Sequence, residues 1–90
     1  MIAQETYYWE VTDDRWDGNC IGTFNGDIDL YPIGPVEEWR CLDGDGNVWY
    51  AGIILGEYDG FEPLDDFCGP SFGCVEIQYW NRDIGEWEVL

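Results

Sequence analysis

Cys41-Leu42-Asp43-Gly44-Asp45-Gly46-Asn47-Val48-Trp49-Tyr50-Ala51-Gly52-Ile53-Ile54-Leu55-Gly56 is the stretch whose reading decides the fold. It opens with turn-forming residues and runs into the longest apolar segment, Val48 to Leu55. Alternate positions form two sets, Val48, Tyr50 and Ile54 against Trp49, Ala51, Ile53 and Leu55. Both sets are mainly apolar. A strand apolar on both faces is buried on both, so this segment is expected at the centre of a sheet.

On its N-terminal side, Val36 to Leu42 alternates, with Trp39 and Cys41 on one face and Glu38 and Arg40 on the other. A first helical turn beginning at Pro35 is the rival reading there, because Pro and acids suit that position. Asp43 to Asn47 turns this strand into the central one. Further back, Glu5 to Thr12 alternates as a half-buried strand, Tyr7, Trp9 and Val11 against Thr6, Tyr8 and Glu10. A polar loop, Asp13 to Asn19, follows it. Asn25-Gly26 between Cys20–Phe24 and Asp27–Tyr31 predicts a hairpin, since a type I′ turn needs positive φ at both central residues. Pro32-Ile33-Gly34-Pro35 breaks the pairing.

On the C-terminal side, residues 57–73 form a long connection rich in Gly, Pro and acids. Pro63 to Phe67 is compatible with one helical turn. Connections of that length are uncommon and often functional. Cys74–Trp80 and Glu86–Leu90 then form a hairpin around Asn81 to Gly85. Val75, Ile77, Tyr79, Trp87 and Val89 are expected on its core face, and Glu76, Gln78, Glu86 and Glu88 on the other. The whole predicts one all-β or β-rich α+β domain over residues 1–90. Six to seven short strands would form a small antiparallel sheet or partly open barrel.

Ninety residues allow one small core. Six Trp, six Tyr and four Phe are available to fill it. Each buried aromatic removes about 150–250 Å² from water, and such a share is foreign to disordered acidic chains.

Twenty Asp and Glu face three Arg, with no Lys and no His, for a net charge of −17. Eleven acids lie in residues 1–45 and nine in 46–90, so the charge belongs to the whole domain and not to a tail. Such a field repels nucleic acid and anionic membrane and attracts basic surfaces. Residues 1–10 lack the basic start and apolar run of a signal peptide, and no apolar stretch is long enough for a membrane helix. A cytoplasmic protein is the default expectation. Cys20, Cys41, Cys68 and Cys74 then read as reduced, largely buried thiols. Two disulfides would be the reading in a secreted chain.

Several segments resemble small uncharacterised acidic proteins of actinobacteria and their phages. They are Asp45-Gly46-Asn47-Val48-Trp49-Tyr50-Ala51-Gly52, Phe61-Glu62-Pro63-Leu64-Asp65-Asp66-Phe67, Gly73-Cys74-Val75-Glu76-Ile77 and Gly85-Glu86-Trp87. The likeness covers residues 43–90 and is most specific in the second of these. It implies a cytoplasmic bacterial or phage setting and carries no activity with it.

Catalysis finds little material. There is no His to act as a general base, no Lys for a Schiff base, and few cations to activate a Cys. No enzyme and no cofactor is expected. Asp43, Asp45 and Asn47 imitate the first ligands of a calcium loop. Val48 and Ile54 then stand where that loop needs Gly and a bidentate Glu, so a hairpin turn is the favoured reading. Base stacking normally accompanies a positive groove, which this composition cannot build.

The acidic surface remains. Residues two apart on a strand face stand about 6.6–6.8 Å apart, a spacing shared by Glu86 with Glu88 and by Asp27 with Asp29. A rigid sheet carrying such rows would present fixed negative charge to a protein built to bind phosphates. The expected function is a non-enzymatic, phage-type inhibitor occupying the basic site of a nucleic-acid-binding protein, by steric competition with electrostatic steering. The expected contacts are Glu57, Asp59, Glu62, Asp65 and Asp66, then Glu76, Glu86 and Glu88, with Trp16 or Trp80 as anchor. Asp13, Asp14 and Asp17 would extend the surface. Two alternatives stand beside it: a calcium- or aromatic-dependent module binding carbohydrate or protein, and a salt-adapted domain. The sequence indicates no oligomeric state.

Overall fold

The computed structural model describes residues 7–16, 18–26 and 36–90, the side chain of Ser71 excepted. Among them six strands form one open antiparallel sheet: β1 (Tyr7–Asp14), β2 (Phe24–Gly26), β3 (Glu37–Leu42), β4 (Val48–Gly56), β5 (Glu76–Asn81) and β6 (Glu86–Val89). Their spatial order is β2-β1-β4-β3-β5-β6. The segment from Val48 is therefore an inner strand, hydrogen-bonded to β1 on one side and β3 on the other. Val36 to Leu42 is the expected strand and not a helical turn, with Trp39 and Cys41 fully buried.

One face of this sheet carries the core. Trp9 and Val11 of β1, Tyr50 and Ile54 of β4, Trp39 and Cys41 of β3, and Ile77 of β5 are buried on it. The helical segment expected near 63–67 lies against them and continues further, as a π-helical turn (Leu64–Cys68) followed by α1 (Gly69–Phe72). Its rings complete an aromatic cluster. Phe67 and Phe72 pack on Tyr50 at 5.0 and 4.8 Å between centroids, and Phe67 also meets Trp9 at 5.8 Å. Gly73, with φ of 74°, ends the segment and returns the chain to β5. The other face of β4 is less uniform than its residue types imply. Leu55 is fully buried, whereas Trp49, Ala51 and Ile53 are half-buried.

Gly52 marks the tightest approach in the sheet. A Cβ there would stand 1.9 Å from the Glu10 carbonyl oxygen and 2.7 Å from Cζ2 of Trp39. The missing side chain leaves room for the Trp39 indole, which donates to the Ile53 carbonyl at 2.8 Å.

Two local expectations are corrected. Asn25-Gly26 is not a turn. Both residues lie in β2 and pair with Trp9 and Tyr8 of β1. No described non-glycine residue has positive φ, so Asn25 cannot take the I′ conformation. Gly26 alone does, with φ of 106°, because β1 passes so close that a Cβ would strike the Tyr7 carbonyl oxygen at 1.9 Å. The chain reverses earlier, between β1 and β2, where Gly18 and Gly22 have positive φ. The strand expected over Asp27–Tyr31 lies outside the described residues, as do Asp17 and the Pro32–Pro35 break.

β6 also differs from its expected register. Asn81 belongs to β5 and pairs with Glu86, so the loop is Arg82 to Gly85, one residue shorter than expected. A one-residue change of register moves every side chain of a strand to the opposite face. Trp87 and Val89 accordingly share a face with Trp80 and Gln78, away from the core. Glu86 and Glu88 share one with Asn81 and Tyr79. Asn81 fixes the shorter loop: its carbonyl accepts Gly85 N–H at 2.8 Å and its Oδ1 accepts Asp83 N–H at 2.9 Å. Val75, expected in the core, is exposed.

Candidate functional site

Three adjoining cavities of about 380, 350 and 370 Å³ run along one side of the molecule. The first shares Tyr58 and Asp59 with the second, and the second shares Glu37, Tyr79 and Glu88 with the third. They make one groove between the start of β3, the connection after β4 and the β5–β6 hairpin. Its carboxylates are Glu37, Glu57, Asp59, Glu62, Asp83 and Glu88. Among the described residues its one cation is Arg82, whose guanidinium donates to the Val36 carbonyl at 3.1 Å.

Local chemistry sets the walls. Glu62 folds the connection back on itself, accepting Asp59 N–H at 2.8 Å and Gly60 N–H at 2.7 Å. The Tyr79 hydroxyl of β5 donates to the Gly60 carbonyl at 2.7 Å, which ties the same turn to the sheet. Tyr58 then lies beside Tyr79, with ring centroids 6.3 Å apart and planes within 10°. Glu37 lies close enough to the Tyr58 hydroxyl to act on its titration. Burial, followed by the charges of Glu37 and Glu62, pushes the Tyr58 phenol well above its usual range. Burial does the same to Tyr79, with Tyr58 and Glu62 adding to it. Both phenols stay neutral donors at physiological pH, so the groove's negative charge resides on its carboxylates. Glu88, facing Tyr79 across the hairpin, accepts Asn81 Nδ2 at 2.8 Å.

The residues expected to meet a partner divide among several places. Glu57, Asp59, Glu62 and Glu88 come together in the groove. Asp65 is exposed on the helical segment. Its neighbour Asp66 turns towards the sheet, where one oxygen accepts from Tyr7 Oη (2.8 Å), Trp9 Nε1 (3.1 Å) and Asn25 Nδ2 (3.0 Å). Asp66 thus clamps the helical segment to β1 and β2. Glu76 is on the sheet face opposite Glu86 and Glu88, so these three do not form one row. Trp80 borders the far end of the groove, with its ring edge-on to Trp87 at 5.4 Å. Trp16 is elsewhere: 61% exposed, it stacks on Trp49 at 4.6 Å beside Asp43 and Asn47. Asp14, named as a possible extension of the acidic surface, is buried and accepts Trp16 N–H and Cys20 N–H.

Glu37, Tyr58, Tyr79 and Asp83 belong to the groove and were not singled out from sequence. Tyr58 gave a signal in retrospect, as an aromatic residue between Glu57 and Asp59 in a connection already marked as unusual.

The calcium-like loop is a tight turn. Asp43 accepts the N–H groups of Asp45 and Asn47, Asn47 Nδ2 and Trp49 Nε1. These bonds, led by the Asn47 N–H, hold its carboxyl down to about 2. Among the described residues no group of three or more His, Cys, Asp or Glu side chains is arranged to hold a metal ion. No described helix is long and apolar enough to cross a membrane.

The other two cations are also engaged. Arg15 pairs with Asp13 at 3.1 Å. Arg40 bonds Gln78 at 2.7 Å and lies 4.2 Å from the centroid of Trp87. The described surface therefore offers a partner many carboxylates and few available cations. Against this geometry, no protein-family model, no curated protein and no solved structure matches the chain.

Proposed function

We propose that this chain is a non-enzymatic acidic binding protein that sits in the basic site of a nucleic-acid-binding protein, its carboxylates standing where phosphates would. The observation that carries the reading is the groove, where six carboxylates line three adjoining cavities and, among the described residues, the one cation is held by backbone. Fixed anions attract Lys- and Arg-lined surfaces at long range and lose little entropy on docking. Glu57, Asp59 and Glu88 make the primary contacts, and exposed Asp65 and Glu86 extend the field. Glu62 and Asp66 act mainly by holding the frame. A phage-type inhibitor of a host or defence enzyme, working in a bacterial cytoplasm, fits this chemistry.

The test is capture from a bacterial lysate on the tagged chain, followed by elution with duplex DNA. Recovery of a nucleic-acid-binding protein that DNA displaces supports the reading. Captured partners that DNA leaves in place would count against it.

The stack of Trp16 on Trp49 favours one other reading, a carbohydrate platform, since a sugar ring packs on an exposed indole and bonds to neighbours such as Asn47. Glycan binding that disappears in Trp16→Ala would support this second reading and displace the first.

A further inference from the structure

We infer that the groove holds a specific receptor for one arginine side chain of the partner, built from the parallel rings of Tyr58 and Tyr79 and the carboxylates of Glu37, Asp59 and Glu88. This deepens the reading of the groove as the binding site and rests on it.

Four observations converge. The central cavity, about 350 Å³, is lined by both tyrosines and all three carboxylates, so the rings and the charges face one space. The two ring planes differ by 10°, which gives a planar cation a single direction in which to stack. The Tyr79 ring is fixed at its hydroxyl by the Gly60 carbonyl and lies parallel to Tyr58, so it need not be ordered when a ligand arrives. Among the described residues the only cation along the groove, Arg82, lines the neighbouring cavity and not this one.

The chemistry selects guanidinium over ammonium. A guanidinium is planar, weakly hydrated, and presents paired donors that match a carboxylate. It can lie parallel to the tyrosine planes while its edge bonds the acids. An ammonium is a strongly hydrated point charge and makes no planar stack. A cation over an aromatic face gains most where water is displaced, which a concave site favours over a flat acidic surface.

The experiment uses the whole chain with hexa-arginine and hexa-lysine peptides, measured by titration calorimetry and by NMR of the tyrosine rings. Hexa-arginine should bind about tenfold more tightly than hexa-lysine and shift the Tyr58 and Tyr79 ring resonances. Tyr58→Leu should erase most of that preference, and Tyr58→Phe, which keeps the ring, should retain it. Glu37→Gln should weaken hexa-arginine by several-fold more than Asp65→Asn, which removes the same charge outside the groove. Equal affinity for the two peptides would overturn the inference. So would equal losses in Glu37→Gln and Asp65→Asn, or a full preference in folded Tyr58→Leu. A DNA-displaced partner that binds Tyr58→Leu normally would leave the proposed function standing and remove the arginine site. A confirmed arginine site without any DNA-displaced partner would do the reverse.

Discussion

The Trp9 indole N–H donates to Asp66 at 3.1 Å, joining the first described strand to a helical segment 57 residues away. The same oxygen accepts from Tyr7 and Asn25, so one carboxylate gathers three donors from two strands. Asp66→Ala should therefore cost about 1–3 kcal/mol in stability, the range for losing bonds to a charged acceptor. Partner affinity should stay within about twofold of the parent, well under the tenfold that 1.4 kcal/mol represents. Denaturant unfolding and a binding titration check the two halves. A large loss of affinity at unchanged stability would place Asp66 at the interface instead.

Gly52 should not tolerate a side chain. An added Cβ meets a backbone oxygen of β1 on one side and the Trp39 ring on the other. Neither can move without breaking the sheet or emptying the core. Gly52→Ala should cost about 3 kcal/mol, the upper end for overpacking, and Trp39 emission should report a loosened core. Unchanged denaturation would show that β1 and β4 do not approach so closely.

Asp43 makes stability depend on pH in a defined direction. Its folded pKa, about 2, lies below the ordinary carboxylate value. A lowered folded pKa contributes stability above the unfolded value, near 3.9, and that contribution is lost as pH falls through the folded one. Asp43→Asn should melt below the parent at pH 5 to 7, and the difference should shrink steadily as pH approaches about 2. Melting temperatures across that range provide the check. A gap that persists undiminished at pH 2 would contradict the assignment.

The thiols divide by environment. All four are thiols and none is in a disulfide, with Cys41, Cys68 and Cys74 buried and Cys20 half-buried. Hydrogen bonding to Cys41, followed by burial, drives the Cys68 thiol far above its usual range, and burial pushes Cys74 up to about 12. The thiolate is the reactive form, so these groups should be inert while the chain is folded. A chromogenic thiol reagent should titrate one equivalent quickly under native conditions and the other three only in denaturant. Fast modification of all four would mean that the core opens readily.

Much of the fold is legible because apolar alternation and burial coincide. Val48 to Leu55 reads as an inner strand, and Trp39 and Cys41 read as its buried neighbours, since nothing local competes with those patterns. Asn25-Gly26 misleads because the glycine serves a different need, the close passage of β1, that only the tertiary structure reveals. Trp87 is misplaced for a narrower reason: whether Asn81 closes the strand or opens the turn changes no residue type, yet it decides which face β6 presents. The candidate site is legible as a region and not as a set of residues. Acids in 57–62 announce the groove, but Glu37 and Tyr79 reach it from strands whose pairing the sequence does not state.

Binding to a DNA-displaced partner through an acidic groove should depend steeply on salt. The parent chain and the triple variant Glu57→Gln, Asp59→Asn, Glu88→Gln should be titrated from ~50 to ~500 mM salt, a range over which exposed charges become largely screened. The parent should lose affinity steeply as salt rises. The variant should start weaker and fall along a shallower slope, because fewer charges meet the basic site. Affinity flat with salt, or identical lines for the two proteins, would contradict an acidic groove as the binding surface.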